Sequence, residues 1–98
     1  MQIVFVPDRN LDAAIMFHRR ALTYARQGKW ALAALHWRRA ITRSPTEPMY
    51  YKALGRADVR LGRYAEAVRA FKSGAEAAPD DQEFTRLIER VRAHARSS

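Results

Sequence analysis

The stretch LGRYAEAVRAF, Leu61–Phe71, decides how this chain is read, because it is written twice. At an offset of 34 residues, QGKWALAALHW occupies Gln27–Trp37. Gly62 falls on Gly28, Arg63 on Lys29, Tyr64 on Trp30, Ala65 on Ala31, Ala67 on Ala33 and Phe71 on Trp37. Working outward, Arg60 falls on Arg26, Pro79 on Pro45 and Tyr51 on the aromatic Phe17. The period holds across two units, about Ala14–Glu47 and Pro48–Asp81. A fixed period of this length signals stacked supersecondary units, none of which buries its apolar face alone.

Each unit predicts two helices. Phe17, Ala21 and Tyr24 recur at helical spacing, Gly28 interrupts them, and Trp30, Ala33, Ala34, Trp37, Ala40 and Ile41 form a second stripe. Pro45 forces Ser44 out of the helical region and ends it. In the second unit Tyr50, Leu54, Ala57 and Leu61 precede Gly62, and Tyr64, Ala67, Val68, Phe71 and Ala75 run on to Pro79. A fifth stripe, Phe84, Leu87, Ile88, Val91 and Ala95, has a charged opposite face, as a terminal cap requires. Thr46 is the expected N-cap of the third helix, and Asp80 with Glu83 the expected capping box of the fifth. The first helix is expected to start near Asn10.

The spaced pattern resembles the tetratricopeptide repeat. Tyr51, Leu54, Gly55, Gly62, Tyr64, Ala67, Phe71 and Pro79 carry the resemblance in the second unit. Phe17, Tyr24, Gly28, Trp30, Ala33, Trp37, Ala40 and Pro45 carry it in the first. The resemblance implies an all-α, right-handed solenoid of antiparallel helix pairs with five helices. The expected organisation is an N-terminal extension over residues 1–10 and a single domain over 11–98. That domain divides into a repeat over 14–47, a repeat over 48–81 and a capping helix over 82–96. Ala33 and Ala67 are expected where paired helices cross. Two positions depart from the pattern. Arg20 stands where the copy has Leu54, and Asp58 where the first unit has Tyr24, and both charges are expected to reach the rim and loosen packing.

The resemblance also implies a binding surface. In this family the first helix of each unit lines the concave side. Spacing then puts Ile15, His18, Arg19, Leu22 and Arg26 on one exposed stripe. Met49, Lys52, Ala53, Arg56 and Arg60 form the next, and Glu83, Arg86, Leu87, Arg90 and His94 the last. The expected groove residues are Arg19, Leu22, Arg26, Met49, Lys52, Arg56, Arg60, Arg86 and Arg90, with arginine forks suited to carboxylate or phosphate. Relatives that grip the acidic C-terminus of heat-shock chaperones use lysines and asparagines here. His18, Leu22 and Ala53 replace them, which argues against that clamp but not against an acidic partner.

Charge agrees with such a partner. The chain of 98 residues carries 18 Lys+Arg against 10 Asp+Glu, a formal charge of +8, and its 15 arginines far outnumber its 3 lysines. From Ala13 to Thr46 there are seven basic residues and no acidic one. A field of that sign attracts acidic proteins, nucleic acid or anionic lipid, although an arginine- and alanine-rich sequence also follows from GC-rich coding.

With no cysteine, the chain has no disulfide, zinc–thiolate cluster or thiol nucleophile. His18, His36 and His94 form no ligand pattern and are expected to be solvated or at edges. Nothing suggests catalysis, a metal or another cofactor. MQIVFVP is too short for a signal segment, no apolar run spans a membrane, and a cytoplasmic setting is the expectation. The expected function is a protein–protein interaction module, an adaptor or assembly factor, for a partner protein or peptide of acidic character. Nucleic-acid binding through the same arginines is the alternative. A third reading is a homo-oligomerising part that joins through the first helix or through Ile3–Val6, which has strand propensity.

Overall fold

A computed structural model describes residues 8–97. They form five helices: α1 (Arg9–Arg26), α2 (Trp30–Arg43), α3 (Pro48–Arg60), α4 (Tyr64–Ala77) and α5 (Glu83–Ser97). Each helix packs mainly on the next in sequence. This is the zigzag of an all-α solenoid. The Ile3–Val6 reading lies outside the described residues.

The duplicated turns share one geometry. Gly28 has φ +73° and Gly62 φ +72°, in the left-handed region where a side chain is strained. The amide of Lys29 donates to the Tyr24 carbonyl at 2.9 Å, and its equivalent Arg63 donates to the Asp58 carbonyl at 2.8 Å. Each bond satisfies a carbonyl that the helix end leaves open. Between the two pairs, the Tyr51 hydroxyl donates to the Pro45 carbonyl at 2.6 Å and fixes the linking loop.

Packing is tight enough to demand small residues. Ala14, Ala21, Ala33, Ala57 and Ala67 are fully enclosed. Gly55 of α3 lies against Phe71 of α4, and a Cβ there would run into the aromatic ring. One buried cluster joins α1, α2 and α3, and a second joins α3, α4 and α5. Ile41 packs against both. Phe84, Leu87 and Val91 close the second cluster from α5. In contrast Phe17 and Tyr24 are only half-buried on α1, while Tyr51, the equivalent of Phe17, is buried.

Several local expectations need correction. The first helix is not among them: it begins at Arg9, beside the expected Asn10, with the Asp8 carboxylate accepting from the Asn10 and Leu11 amides at 3.0 and 3.1 Å. Glu47, not Thr46, is the N-cap of α3 and makes no side-chain cap bond, and Pro48 opens the helix instead. At α5 the capping carboxylate is Asp81, one residue beyond Asp80, whose Oδ1 accepts from the Glu83 amide at 3.0 Å. Arg20 does reach solvent, but Asp58 is 1% exposed. A carboxylate on a single methylene is too short to snorkel from that depth. His36 is buried rather than at an edge. Its Nδ1–H donates to the Leu32 carbonyl at 2.9 Å, and its ring lies between Phe17 and Tyr24.

Candidate peptide-binding groove

The first helix of each pair and the capping helix present one face. Three hollows lie along it. One, about 520 Å³, is lined by residues that include His18, Leu22, Trp37, Met49 and Lys52. A second, about 330 Å³, adjoins it between α1 and α3 and is walled by Leu22, Ala25, Trp30, Trp37 and Ala53. The third, about 450 Å³, lies between α3 and α5 over Val59, Phe71, Leu87 and Val91. Arg56 borders all three. Six of the nine expected groove residues therefore meet: Leu22, Met49, Lys52, Arg56, Arg60 and Arg90. Arg19, Arg26 and Arg86 are exposed but border none of these hollows.

The charge is not uniform along the face. The Lys52 ammonium donates to Asp81 Oδ2 at 2.6 Å and to Glu83 Oε2 at 3.0 Å. Arg56 donates to Glu83 Oε1 at 3.0 Å. The hydrogen bond to Asp81 pushes the Lys52 pKa up, and the bond to Lys52 holds Asp81 and Glu83 below the usual carboxylate range. Two cations are thus matched by two carboxylates, and this cluster ties α3 to the start of α5. Arg60 is different. Its guanidinium carbon lies 5.1 Å from the centre of the Trp30 ring, and among the described residues no acidic side chain pairs with it. Stacking on the ring face leaves the edges of the guanidinium free to donate.

His18 sits between α1 and α3. Its Nδ1 accepts from the Trp37 indole N–H at 2.9 Å, and its ring centre is 5.3 Å from that of Tyr50. Burial lowers its pKa, while Glu47 opposes the shift. The acceptor role at Nδ1 requires the neutral imidazole, so this histidine braces the groove floor.

Spacing on the first helices missed the floor itself. Trp30, Trp37 and Phe71 come from the second helices and reach between their neighbours. Trp37 and Phe71 are themselves buried and line the hollows from the core side.

This geometry can be set beside known proteins. A family model described as Tetratricopeptide repeat matches residues 18–82 and again residues 52–96, so the two matches start 34 residues apart. The chain belongs to the tetratricopeptide repeat family. Among solved structures, this tetratricopeptide chain is similar to the first TPR of Spaghetti (RPAP3) bound to the HSP90 peptide SRMEEVD. That likeness has a TM-score of 0.73 at 24% identity, over 87% of this chain and 67% of the other. It shows a shared fold. Among curated proteins none matches the sequence. No helix of the described residues is long and apolar enough to cross a membrane.

Proposed function

We infer that this tetratricopeptide array is a protein–protein interaction module whose concave groove holds an acidic peptide segment of a partner protein. The observation that carries this reading is Arg60, stacked on Trp30 beside two apolar hollows and without an acidic partner among the described residues. A carboxylate arriving there gains a preorganised fork, while apolar side chains beside it lose contact with water. Arg90 extends the cationic rim around the hollow between α3 and α5. The structural neighbour's SRMEEVD peptide is itself acidic, which is compatible with the reading. The lysine and asparagine clamp of the family's chaperone-binding members is not part of the reading, because His18, Leu22 and Ala53 occupy those stripes here.

The same arginines suit nucleic acid less well. Glu47, Asp81 and Glu83 stand along the groove, and a phosphate backbone laid in it would meet all three. Binding by counterion release also has no use for apolar hollows.

A backbone amide NMR titration tests the reading, with a glutamate-rich peptide and a single-stranded RNA of similar length as probes. The expected result is peptide-induced shifts concentrated on α1, α3 and α5 around Leu22, Ala53 and Arg60. Shifts spread over every exposed arginine, or larger for the RNA, would replace it with nucleic-acid binding.

A further inference from the structure

The acidic-peptide reading leaves open what the groove selects among acidic segments, and the inference here rests on that reading. The helix α3 forms a ridge, and Arg56 and Arg60 border the hollows on both its sides. Each hollow is a socket of similar make. The first has Trp37 at its floor with Leu22 and Ala53 on its walls. The second has Phe71 at its floor with Val59 and Leu87 on its walls. Trp37 and Phe71 are equivalents in the 34-residue repeat. The duplication that built the fold has therefore also duplicated an apolar socket.

The sockets lie on opposite flanks of one helix. A helix with its side chains is about 10 Å across. A segment in the polyproline II conformation advances about 3.1 Å per residue with three residues per turn, so it crosses the ridge in roughly three residues and turns side chains three apart to the same face. The residues in transit pass over Arg56 and Arg60. Arg56 is engaged by Glu83, whereas Arg60 is held by its ring face alone. At the end of the ridge near the start of α5, Asp81 and Glu83 outnumber the one ammonium of Lys52 between them, and a further carboxylate would be repelled there. The attractive position for an acid is thus beside Arg60.

We propose that the groove reads a two-anchor motif: two large apolar side chains about three residues apart in a segment of polyproline II conformation, with an acidic residue between them that pairs with Arg60. The anchors fill the Trp37 and Phe71 sockets. The motif lies within a chain and needs no free C-terminal carboxylate.

The test uses fluorescein-labelled, C-terminally amidated peptides titrated against the full chain and read by anisotropy. The reference contains Glu-Leu-Glu-Glu-Leu-Glu. One comparison peptide replaces both leucines by serine, one sets the leucines side by side, and one replaces every glutamate by glutamine. The reference is expected to bind at least about tenfold tighter than each of these, a difference of about 1.4 kcal/mol. Arg60→Gln should abolish the preference for glutamate over glutamine and leave the preference for leucine in place. Equal binding of the leucine and serine peptides, with glutamate still preferred, would overturn the two-anchor motif and leave the acidic-partner reading standing. Equal binding of the glutamate and glutamine peptides by the unaltered chain would overturn both. No saturable binding of the reference at millimolar concentration would also overturn the motif.

Discussion

Asp58 Oδ1 lies 3.6 Å from the Arg38 guanidinium and accepts no hydrogen bond, although the side chain is almost fully buried in the seam between α2 and α4. Burial raises its pKa, and Arg38 offsets only part of that. A carboxyl whose folded pKa lies above its unfolded one stabilises the fold most below the unfolded value and loses that contribution as pH rises. Asp58→Leu is therefore expected to stabilise the protein at pH 7 by roughly 1–3 kcal/mol, the desolvation penalty of an unmet buried acceptor. The gain should shrink toward pH 4. Thermal melts of both proteins at the two pH values check this, and a lower melting temperature for the variant at pH 7 would contradict it.

The duplicated glycines and the crossing glycine should respond differently to the same change. Gly62→Ala places a methyl in open space but on a left-handed backbone, at a cost of about 1 kcal/mol. Gly55→Ala drives a methyl into the Phe71 ring and should cost roughly 1–3 kcal/mol through repacking. Adding Phe71→Leu to Gly55→Ala should recover part of that loss and should recover none of the Gly62→Ala loss. Urea denaturation of the four proteins separates strain in the backbone from collision in the core.

The Lys52 cluster predicts acid sensitivity of the capping helix. Asp81 and Glu83 have folded pKa values below their unfolded ones, so their contribution is complete above about pH 5 and is lost as pH falls through the lowered values. Lys52→Met should flatten the fall in melting temperature between pH 5 and pH 3. Amide exchange in α5 should quicken in that variant at pH 7, while exchange in α1 should be unaffected.

His18 predicts a second slope, nearer neutrality. Burial lowers its folded pKa, so as pH falls below about 6.5 the unfolded chain takes up a proton first. Stability is complete above that pH and declines toward the lowered folded value. Protonation also requires Nδ1 to give up the Trp37 indole bond. His18→Gln should reduce the difference in melting temperature between pH 7.5 and pH 5.5.

Much of this was legible in the sequence because the same physics was written twice. Gly28 with Gly62, Trp37 with Phe71 and Pro45 with Pro79 placed the five helices and their breaks. That Leu22, Met49, Arg56, Arg60 and Arg90 would share one face followed from helical spacing once the resemblance had placed the first helices and the capping helix on one side. What spacing could not supply was pairing between helices. Lys52 reads as one more free cation until the loop before α5 brings Asp81 and Glu83 to it. Asp58 reads as a charge that can escape to water, and its depth depends on α2 closing over it. Trp37 reads as core, and its second role appears only when α1 and α3 leave a gap above it. A one-residue shift at a cap, such as Asp81 for Asp80, is likewise decided by the path of the loop.

Recognition of an acidic segment by the ridge of α3, as proposed above, is tested most directly by charge reversal. Arg56→Glu with Arg60→Glu reverses the ridge charge. Arg92→Glu is the control, on α5 and about 200° around the helix from Arg90. Arg69 is a poorer control, because it pairs with Glu66 at 3.2 Å and borders the Asp58 cleft. Peptides selected by display on the unaltered protein are titrated against each variant by calorimetry at two salt concentrations. The ridge pair should weaken binding by more than about a hundredfold, about 2.7 kcal/mol, and Arg92→Glu by less than about twofold. Losses in simple proportion to the charge changed, twice as much binding free energy for the ridge pair as for Arg92→Glu, would mean that the net charge of the chain, and not the groove, attracts the partner.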